Sequence, residues 1–501
     1  MMLSILLLIP LFGALLFLLL PSELAPTRMR SIAIVVLVLQ LLWSIRLLFA
    51  FDLELPGMQL QESFSWVERL GLRYELGIDG LSLPLVLLNA ALTLVAAVCT
   101  RELSERPRLY FALILLISFA VNGAFVANNL LFFLIFYELE LIPLWLLILI
   151  WGGSQRVYAA TKFLLFTAVS GVLILAAFLG LAFINGSVDF SLSPLVTERI
   201  GMGSQLILLG CLLVGFGIKI PLVPFHSWLP DAHTQASTPV SVLLAGVLLK
   251  LGTYGLLRFG LGMFPDAWAV LAPAMAIWAA ISVLYGSLAA IAQRDMKRMV
   301  AFSSVGHMGY VLLAAAAATP VALMGAVFQM VSHGLISALL FLLVGVVYRK
   351  TGTRDLEVLR GLLNPELGLP FTGTLMILGV MASAGLPGMA GFISEFLVFR
   401  GSIQIYPLAT LLCMVGSGLT AVYFLLLVNR AFFGRLAITP EEDPAIQKRL
   451  DVQLAPVAPR ETIPALALAI AVIALGLLPA GLGGISDAAT GAMAQLFSGA
   501  G

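Results

Sequence analysis

The sequence predicts an all-α polytopic membrane protein with about fourteen transmembrane helices. Of its 501 residues, 61% are hydrophobic and only 11% are charged, and the mean hydropathy is +1.08. Soluble domains carry about 25% charged residues. The apolar residues form runs of about 20, the length a helix needs to cross the hydrocarbon core of a bilayer. These observations predict one membrane domain rather than several soluble domains.

Fourteen apolar runs are predicted to span the membrane. In chain order they lie near 3–21, 31–51, 80–100, 109–127, 130–150, 161–184, 206–225, 239–260, 268–291, 299–318, 321–348, 371–403, 408–433 and 463–484. The first run has no basic residues before it and is too long for the apolar core of a typical signal peptide. We therefore expect it to be the first transmembrane helix.

The seventh and twelfth spans are predicted to be broken. Pro221 and Pro224 interrupt the seventh span, and Pro387 with Gly388 interrupts the twelfth, since proline removes a helical hydrogen bond. Broken helices at membrane depth are tolerated only where the freed backbone is buried in protein or lines a hydrated cavity. The two breaks suggest repeats of five helices, spans 4–8 and 9–13. An odd number of helices makes such repeats lie inverted in the membrane.

The predicted organisation is a single membrane domain over 1–501. It contains three N-terminal helices in 1–108, a first repeat in 109–260, a second repeat in 268–434, and a linker with the last helix in 435–501.

Basic residues gather in the loops that follow odd-numbered spans. The positive-inside rule places these loops on the cytoplasm-like side, called the basic side below, and both termini on the opposite side. The longest segment on the opposite side, Asp52–Asp79, mixes acidic and aromatic residues and is expected to be partly ordered.

Lys219 and Lys250 lie inside apolar runs, Lys219 next to the first break and Lys250 near the middle of its span. A lysine at the centre of a membrane helix costs roughly 2.5–3.5 kcal/mol on insertion scales, so such residues usually face a polar interior and carry function. From its central position, the stem of Lys250 is too short for its ammonium to reach the interface.

Glu138 and Glu140 lie in the fifth span. Two residues apart, they point about 200° away from each other around a helix. We expect Glu138 to be the functional carboxylate, paired with Lys219, and Glu140 to face a neighbouring helix. At a separation of about 4 Å and an effective dielectric near 20, the attraction between Glu138 and Lys219 is roughly 4 kcal/mol. This is comparable with the cost of burying one charge, so the pair can open and close and can act as a gate. The alternative is that both glutamates are satisfied locally.

Two polar stripes follow one face of each of two successive spans. They are Ser303, His307 and Tyr310 in span 10, and Gln329, His333 and Ser337 in span 11. Because histidine titrates near neutrality, His307 and His333 are predicted to relay protons. The alternative is that each is a hydrogen-bonded structural residue. Glu395, beside the second break, is expected to be the terminal proton exchange site.

His226, Asp231 and His233 lie at the basic-side end of span 7. With no further ligand nearby, they indicate a hydrated entry or capping region rather than a metal site. The three cysteines are isolated in apolar runs, whereas iron–sulfur clusters need grouped thiolates. The net charge of +1 comes without a basic cluster beside aromatic residues, so nucleic acid is not an expected partner.

Several segments resemble the Mrp-type antiporter-like subunits of complex I, and among them the subunit M group. The segments are IKIPLVPFHSWLPDAH, LLAGVLLKLGTYGLLRF, FSSVGHMGY, SHG and LPGMAGFISEF, in this order. The resemblance covers nearly the whole chain and implies a fourteen-helix fold with two inverted five-helix repeats and a proton channel. It also implies a central hydrophilic axis made of Glu138, Lys219, Lys250, His307, His333 and Glu395. Glutamate at position 395, where sister subunits have lysine, fits the subunit M group.

Two further segments, YELELIPLWLLILIWGG and YAATKFLLFTA, resemble the cyanobacterial and chloroplast branch of this family. That branch implies ferredoxin or NAD(P)H as electron donor, plastoquinone as acceptor, and a thylakoid location with both termini lumenal. The alternative location is a bacterial inner membrane. The segment HTQASTPVSVLLAG is similar to the corresponding segment of family members that serve CO2 uptake.

The sequence therefore predicts a proton-translocating membrane subunit of a complex I-like quinone oxidoreductase. No cofactor is expected in this chain, whereas iron–sulfur clusters and quinone are expected in partner subunits, which include neighbouring antiporter-like subunits within the bilayer. Protons are expected to enter from the basic side, load Lys250, pass by His307 and then His333, and leave by Glu395. The alternatives are a stand-alone Mrp-type Na+/H+ antiporter subunit and a structural anchor of a CO2-hydrating module.

Overall fold

The computed structural model describes residues 1–21, 24–101, 105–186, 190, 192, 197, 200–438 and 456–498. It confirms the all-α architecture. The helices before the first break are Met2–Leu19 (α1), Pro26–Ala50 (α2), Leu83–Cys99 (α3), Pro107–Val126 (α4), Leu130–Leu139 (α5), Leu141–Trp151 (α6), Arg156–Asn185 (α7) and Met202–Lys219 (α8). After the break come Trp228–Gln235 (α9), Thr238–Leu243 (α10), Leu249–Gly255 (α11), Pro265–Ile291 (α12), Met296–Ala317 (α13), Pro320–Thr351 (α14), Pro370–Ser383 (α15), Ala390–Ser402 (α16), Pro407–Phe432 (α17), Pro459–Leu477 (α18) and Ala480–Ser498 (α19).

Each predicted span coincides with a helix or with helical segments in series. In the described part of the chain, 12 helical stretches are long and apolar enough to cross a membrane, and α3 and α15 are apolar but shorter. The count of fourteen, the inverted relation of the repeats and the domain boundaries stay predictions. Most of the predicted linker, residues 439–455, lies outside the described residues.

Two boundaries differ from the prediction. The fifth span is divided at Glu140 into α5 and α6, because Pro143 has no N–H for the carbonyl of Leu139. The last span ends at Leu477, before Pro479, and α19 follows as a helix that the sequence did not predict.

The segment Asp52–Asp79 contains an antiparallel hairpin, which confirms the predicted partial order. Its strands are Gln59–Val67 (β1) and Leu72–Ile78 (β2). The carboxylate of Glu62 accepts a hydrogen bond of 2.8 Å from the backbone N–H of Leu3, in the first turn of α1. A helix N-terminus favours negative charge, so the hairpin holds the first helix by its end.

The first break lies where it was predicted. Helix α8 ends at Lys219, and the chain resumes as α9 after an irregular segment that contains Pro221 and Pro224. The indole N–H of Trp228 donates to the carbonyl of Ile218 at 2.9 Å. A buried side chain thus bonds one of the carbonyls at the end of α8, as burial of a broken helix requires.

The second break also lies where it was predicted, around Pro387. Helix α15 ends at Ser383 and α16 begins at Ala390. Gly385 and Gly388 have φ values of +72° and +88°. Glycine adopts this left-handed region without the penalty that a Cβ imposes, so the turn between the two half-helices depends on glycine.

Three helical stretches form the buried centre of the bundle: 238–261, α13 and α14. The most apolar parts of the first two are fully buried, and that of α14 is 94% buried. Within 238–261, the backbone widens to π-helical geometry at Leu244–Leu248 and Leu256–Leu261. Such widened turns frequently mark functional sites.

We expect Gly388→Ala to destabilise the second break by about 1–2 kcal/mol, since its φ is positive. A Cβ at this position meets only Leu477, at 3.8 Å, so the effect isolates backbone strain from crowding. Gly418→Ala in α17, where a Cβ meets nothing within 4 Å, is the matched control and is expected to be neutral or stabilising. Thermal unfolding of the purified protein measures both; equal shifts for the two variants contradict the expectation.

Candidate functional site

Lys219 and Glu140 form an ion pair in the interior. Both side chains are almost fully buried, with 1% and 0% exposure, and the ammonium contacts the carboxylate oxygen Oε1 directly. The ammonium also lies 3.9 Å from the ring centroid of Tyr137 and 3.4 Å from that residue's carbonyl oxygen. Lys219 is the last residue of α8, and Glu140 sits at the α5–α6 junction, so the pair joins two interrupted helices.

The predicted pair between Glu138 and Lys219 is wrong. Glu138 is half-buried and packs on α7, where a Cβ on Gly171 would lie 2.1 Å from its carboxylate oxygen Oε1. The prediction treated the fifth span as one continuous helix, whereas the junction at Glu140 turns that side chain toward α8. Pro143 was the signal that indicated a junction, because proline removes a helical hydrogen bond. The role that the resemblance implies for Glu138 stays a prediction.

Lys250 is fully buried in 238–261, between the two widened turns. Its ammonium nitrogen lies 2.7 Å from Nδ1 of His333 and 2.5 Å from the carbonyl oxygen of Ala245. The helices approach closely here, since a Cβ on Gly334 would lie 3.0 Å from the carbonyl oxygen of Gly246. Glycine at both positions therefore lets Lys250 reach the histidine on α14.

His333 and His307 are neighbours across a small cavity. Their ring centroids are 5.7 Å apart, and both rings line a space that holds about one water molecule. Nε2 of His333 is buried and has no hydrogen-bond partner among the described residues. Gln329, which was predicted on the same stripe, lines the cavity too and donates to the carbonyl of His307 at 3.3 Å.

Both ring nitrogens of His307 lie near carbonyl oxygens: Nδ1 is 2.7 Å from that of Ser303, and Nε2 is 3.1 Å from that of Ser383 at the end of α15. A neutral imidazole donates from one nitrogen only. Both contacts become hydrogen bonds when the ring takes up a proton, so the site is built to accept one.

Glu395 lies on the far side of the same cavity. Its carboxylate oxygen Oε1 is 3.9 Å from Nε2 of His307, and its Oε2 accepts a hydrogen bond of 2.5 Å from Ser417 of α17. A Cβ on Gly385 would lie 3.0 Å from Oε2, so the glycine-dependent turn of the second break leaves room for the carboxylate. Ser417 and the carbonyl of Ser383 were not predicted as site residues.

The structure thus brings together Lys250, His333, His307 and Glu395, in this spatial order. The predicted order, with His307 next to Lys250, is wrong. Spacing along a helix gives the face of each histidine, but it does not give the order in which packed helices present them. Helix α14, with His333, lies between 238–261 and α13.

The predicted entry region lies at the end of the bundle where basic residues meet. Asp231 binds Lys162 at 2.7 Å and Arg298 at 3.3 Å, so it is engaged in ion pairs. His233 is fully buried, is stacked on Phe341, and has no hydrogen-bond partner on either ring nitrogen among the described residues. Across the described ranges, no three His, Cys, Asp or Glu side chains are grouped as metal ligands.

Beyond Lys250, toward the other end of 238–261, the interior closes with an ion pair. Arg258 donates to Asp79 at 2.6 Å, and both side chains are at most 10% exposed. Tyr254, one turn from Lys250, donates its hydroxyl hydrogen to the carbonyl of Phe125 at 3.2 Å. Because these groups already have hydrogen-bond partners, His333 is the neighbour of Lys250 that has a ring nitrogen without a partner among the described residues.

Comparison with known proteins gives a consistent result. Residues 127–420 match the sequence model of the family described as NADH:quinone oxidoreductase/Mrp antiporter, transmembrane. The chain is 42% identical over 436 residues to NAD(P)H-quinone oxidoreductase chain 4 1 of a Synechococcus species, covering 86% of this chain and 81% of that one. It is 40% identical over 457 residues to chain 4 2 of Thermosynechococcus vestitus, covering 90% and 84%.

Solved structures with a similar fold include membrane subunits of large complexes. A chain of respiratory complex I from Thermus thermophilus superimposes with a TM-score of 0.86 at 28% identity, covering 99% of this chain and all of that one. A chain of the Mrp complex from a Dietzia species superimposes with a TM-score of 0.84 at 22% identity, covering 100% and 99%. At that identity, the second likeness concerns the fold alone.

Lys219→Met is expected to lower the free energy of unfolding by about 3–5 kcal/mol, because it leaves the Glu140 carboxylate buried without its partner. Adding Glu140→Gln removes that uncompensated charge and is expected to restore most of the loss. Thermal unfolding of the purified variants, arranged as a double-mutant cycle, measures the coupling.

Glu138→Gln serves as the matched control in the same background, since no hydrogen bond or salt bridge joins Glu138 to Lys219 among the described residues, whereas Glu140 has both. It is expected to restore little. A larger recovery with Glu138→Gln than with Glu140→Gln would contradict the pairing.

Proposed function

Because this chain belongs to the NADH:quinone oxidoreductase/Mrp antiporter family, we propose that it is a proton-translocating membrane subunit of a complex I-like NAD(P)H-quinone oxidoreductase. Redox chemistry takes place in partner subunits, where iron–sulfur clusters and quinone bind. This chain couples that chemistry to proton movement. Its partners are other membrane subunits of the same assembly, including neighbouring antiporter-like subunits.

The observation that carries the proposal is the series of contacts from Lys250 to Glu395. Lys250, His333 and His307 follow one another through the three most buried helical stretches, and Glu395 continues the series on α16. Ionisable residues inside a membrane protein are costly and usually mark an ion pathway or proton relay. Residues retained only for packing would be apolar at these positions.

The first transfer uses atoms that are already adjacent, and the next one crosses the small cavity. The Lys250 ammonium donates its proton to Nδ1 of His333 at 2.7 Å. His333 then releases a proton from Nε2, and a water molecule in the small cavity carries it to His307 or directly to Glu395. The hydroxyl of Ser417 holds the carboxylate of Glu395 at the end of the series.

Protons enter from the basic side past His233. A cavity of about 480 Å³ reaches from the basic end of the bundle to Ser237 and Lys297, near this buried histidine. Both ring nitrogens of His233 are without partners among the described residues. An imidazole with two unoccupied nitrogens can accept a proton on one side and release it on the other.

The ion pair between Lys219 and Glu140 acts as a gate for Lys250. A Cβ on Gly252 would lie 3.2 Å from Cβ of Lys219, so α8 packs directly on the helix that carries Lys250. While Glu140 neutralises Lys219, Lys250 experiences little repulsion. Opening the pair leaves a positive charge next to that helix and favours release of the proton from Lys250.

We further propose a thylakoid membrane location with both termini lumenal; the distribution of basic loops and the cyanobacterial relatives support this proposal. That the complex supports CO2 uptake is proposed from the segment HTQASTPVSVLLAG alone. A deletion strain tests this role: a growth defect at low CO2 with normal respiration is expected, and growth at low CO2 equal to wild type contradicts it.

Lys250→Ala is expected to abolish proton pumping while the complex still assembles. Lys250→Arg is expected to abolish it as well, because a guanidinium keeps the charge but does not release its proton in proteins. Proton uptake into vesicles that contain the purified complex measures this, with quinone reduction recorded in parallel.

Thr253→Ala, which removes a hydroxyl one turn away on the same helix, is the matched control and is expected to pump normally. Pumping at the wild-type rate in Lys250→Arg would show that charge alone suffices and would overturn the relay.

Purification of the tagged chain separates the proposal from a stand-alone Mrp-type Na+/H+ antiporter. Co-purification of iron–sulfur subunits together with quinone reductase activity is expected. Recovery with antiporter subunits only, together with Na+-dependent proton exchange, would contradict the proposal.

A further inference from the structure

The cavity at the basic end of the bundle is lined by basic side chains; we call it the basic vestibule. It has a volume of about 480 Å³ and is enclosed by the ends of α3, α6, α13 and α14 and by the connection from α9 to α10. Four cations line it, and none of the described residues that line it is acidic. The cations are Arg101, Lys297, Arg349 and Arg354.

The described acidic residues near the vestibule do not balance these charges. Arg349 pairs with Glu461, and Arg354 pairs with Asp295 at 3.1 Å. Lys297 donates to a backbone carbonyl, and no carboxylate of the described chain lies within salt-bridge distance of Lys297 or of Arg101.

Two further cations strengthen this imbalance. They are Arg460 and Lys350, and Lys350 directly follows Arg349 in the chain. Nε of Arg349 and Nε of Arg460 are buried without a hydrogen-bond partner in the described structure. Buried guanidinium donors that are left unbonded favour a bound anion.

The shape and lining of the vestibule favour a lipid as the source of this anion. Tyr110, Trp151 and Tyr348 contribute aromatic rings, and Tyr348 is 49% exposed. Tyrosine and tryptophan concentrate where headgroups meet acyl chains, and basic pockets between helices on the cytoplasmic side bind acidic headgroups. A guanidinium binds two oxygens of a tetrahedral oxyanion at once.

We propose that the basic vestibule is a binding site for an anionic membrane lipid, held by the phosphate or sulfonate of its headgroup. Arg101 and Arg349 bind the oxyanion, and the aromatic rings contact the glycerol and the first methylene groups of the lipid. The binding itself does not depend on the proposed function. One consequence does: the headgroup offsets the positive charge that would repel protons at the entrance near Lys297 and His233.

The test measures binding on the purified, delipidated complex without turnover. Thermal unfolding is recorded while phosphatidylglycerol, phosphatidylcholine or inorganic phosphate is added, since a ligand of the folded state raises the unfolding temperature in proportion to occupancy. Phosphatidylglycerol is expected to raise it, and the other two are not. Arg101→Gln is expected to weaken the apparent affinity for phosphatidylglycerol about tenfold or more.

Two further variants control for charge and for folding. Arg28→Gln with Arg435→Gln removes two exposed charges on the same predicted side, outside the vestibule, and is expected to bind the lipid as the wild type does. Arg349→Gln with Glu461→Gln removes the second oxyanion ligand without leaving a buried carboxylate unpaired. It is expected to fold and to lose the lipid effect.

Equal stabilisation by phosphatidylcholine, or unchanged affinity in both vestibule variants, would overturn the site. Saturation by inorganic phosphate alone would show a free oxyanion site and overturn the lipid assignment. Because binding is read from unfolding, normal pumping in Lys250→Ala would contradict the proposed function and leave the lipid result unaffected, so the two proposals fail separately.

Discussion

The ion pair between Lys219 and Glu140 is the interaction on which the first half of this bundle depends. Each partner sits where a helix is interrupted, at the end of α8 and between α5 and α6. A buried charge without its partner would cost several kcal/mol, so the two discontinuities must stay opposite each other. The breaks supply further polar contacts, such as the carbonyl of Tyr137. The interrupted helices therefore provide polar contacts for the buried charges, and the ion pair keeps the two interruptions opposite each other.

The path from Lys250 to Glu395 solves the same problem without a strong ion pair. Lys250 contacts a neutral partner, His333, and a backbone carbonyl rather than a carboxylate. Glu395 is stabilised by Ser417 and lies 3.9 Å from His307, beyond hydrogen-bond distance. Such weakly held groups exchange protons more readily than a closed ion pair, because neither protonation state is fixed by a single partner. The ion pair between Lys219 and Glu140 is thus suited to gating, and the path from Lys250 to Glu395 is suited to conduction.

Sequence reasoning identified the architecture and the breaks because both follow from local chemistry. Apolar runs, prolines and the glycines at 385 and 388 act on the backbone where they stand. The predictions were wrong where the packing of helices in three dimensions decides which side chains come into contact. Glu138 was preferred over Glu140 since the fifth span was treated as continuous, although Pro143 indicated a junction. The order of the histidines depends on helix packing, which the spacing within one helix does not encode. Ser417 lies alone on an apolar helix and gave no pattern.

Proton movement through this chain requires a continuous path from Lys250 to Glu395. The most direct measurement is a high-resolution cryo-EM map of the assembled complex that resolves ordered water. It should show a water molecule in the small cavity, within hydrogen-bond distance of Nε2 of His333 and of the Glu395 carboxylate or His307. A dry cavity, with apolar side chains inserted between the two histidines and Glu395, would contradict the central claim.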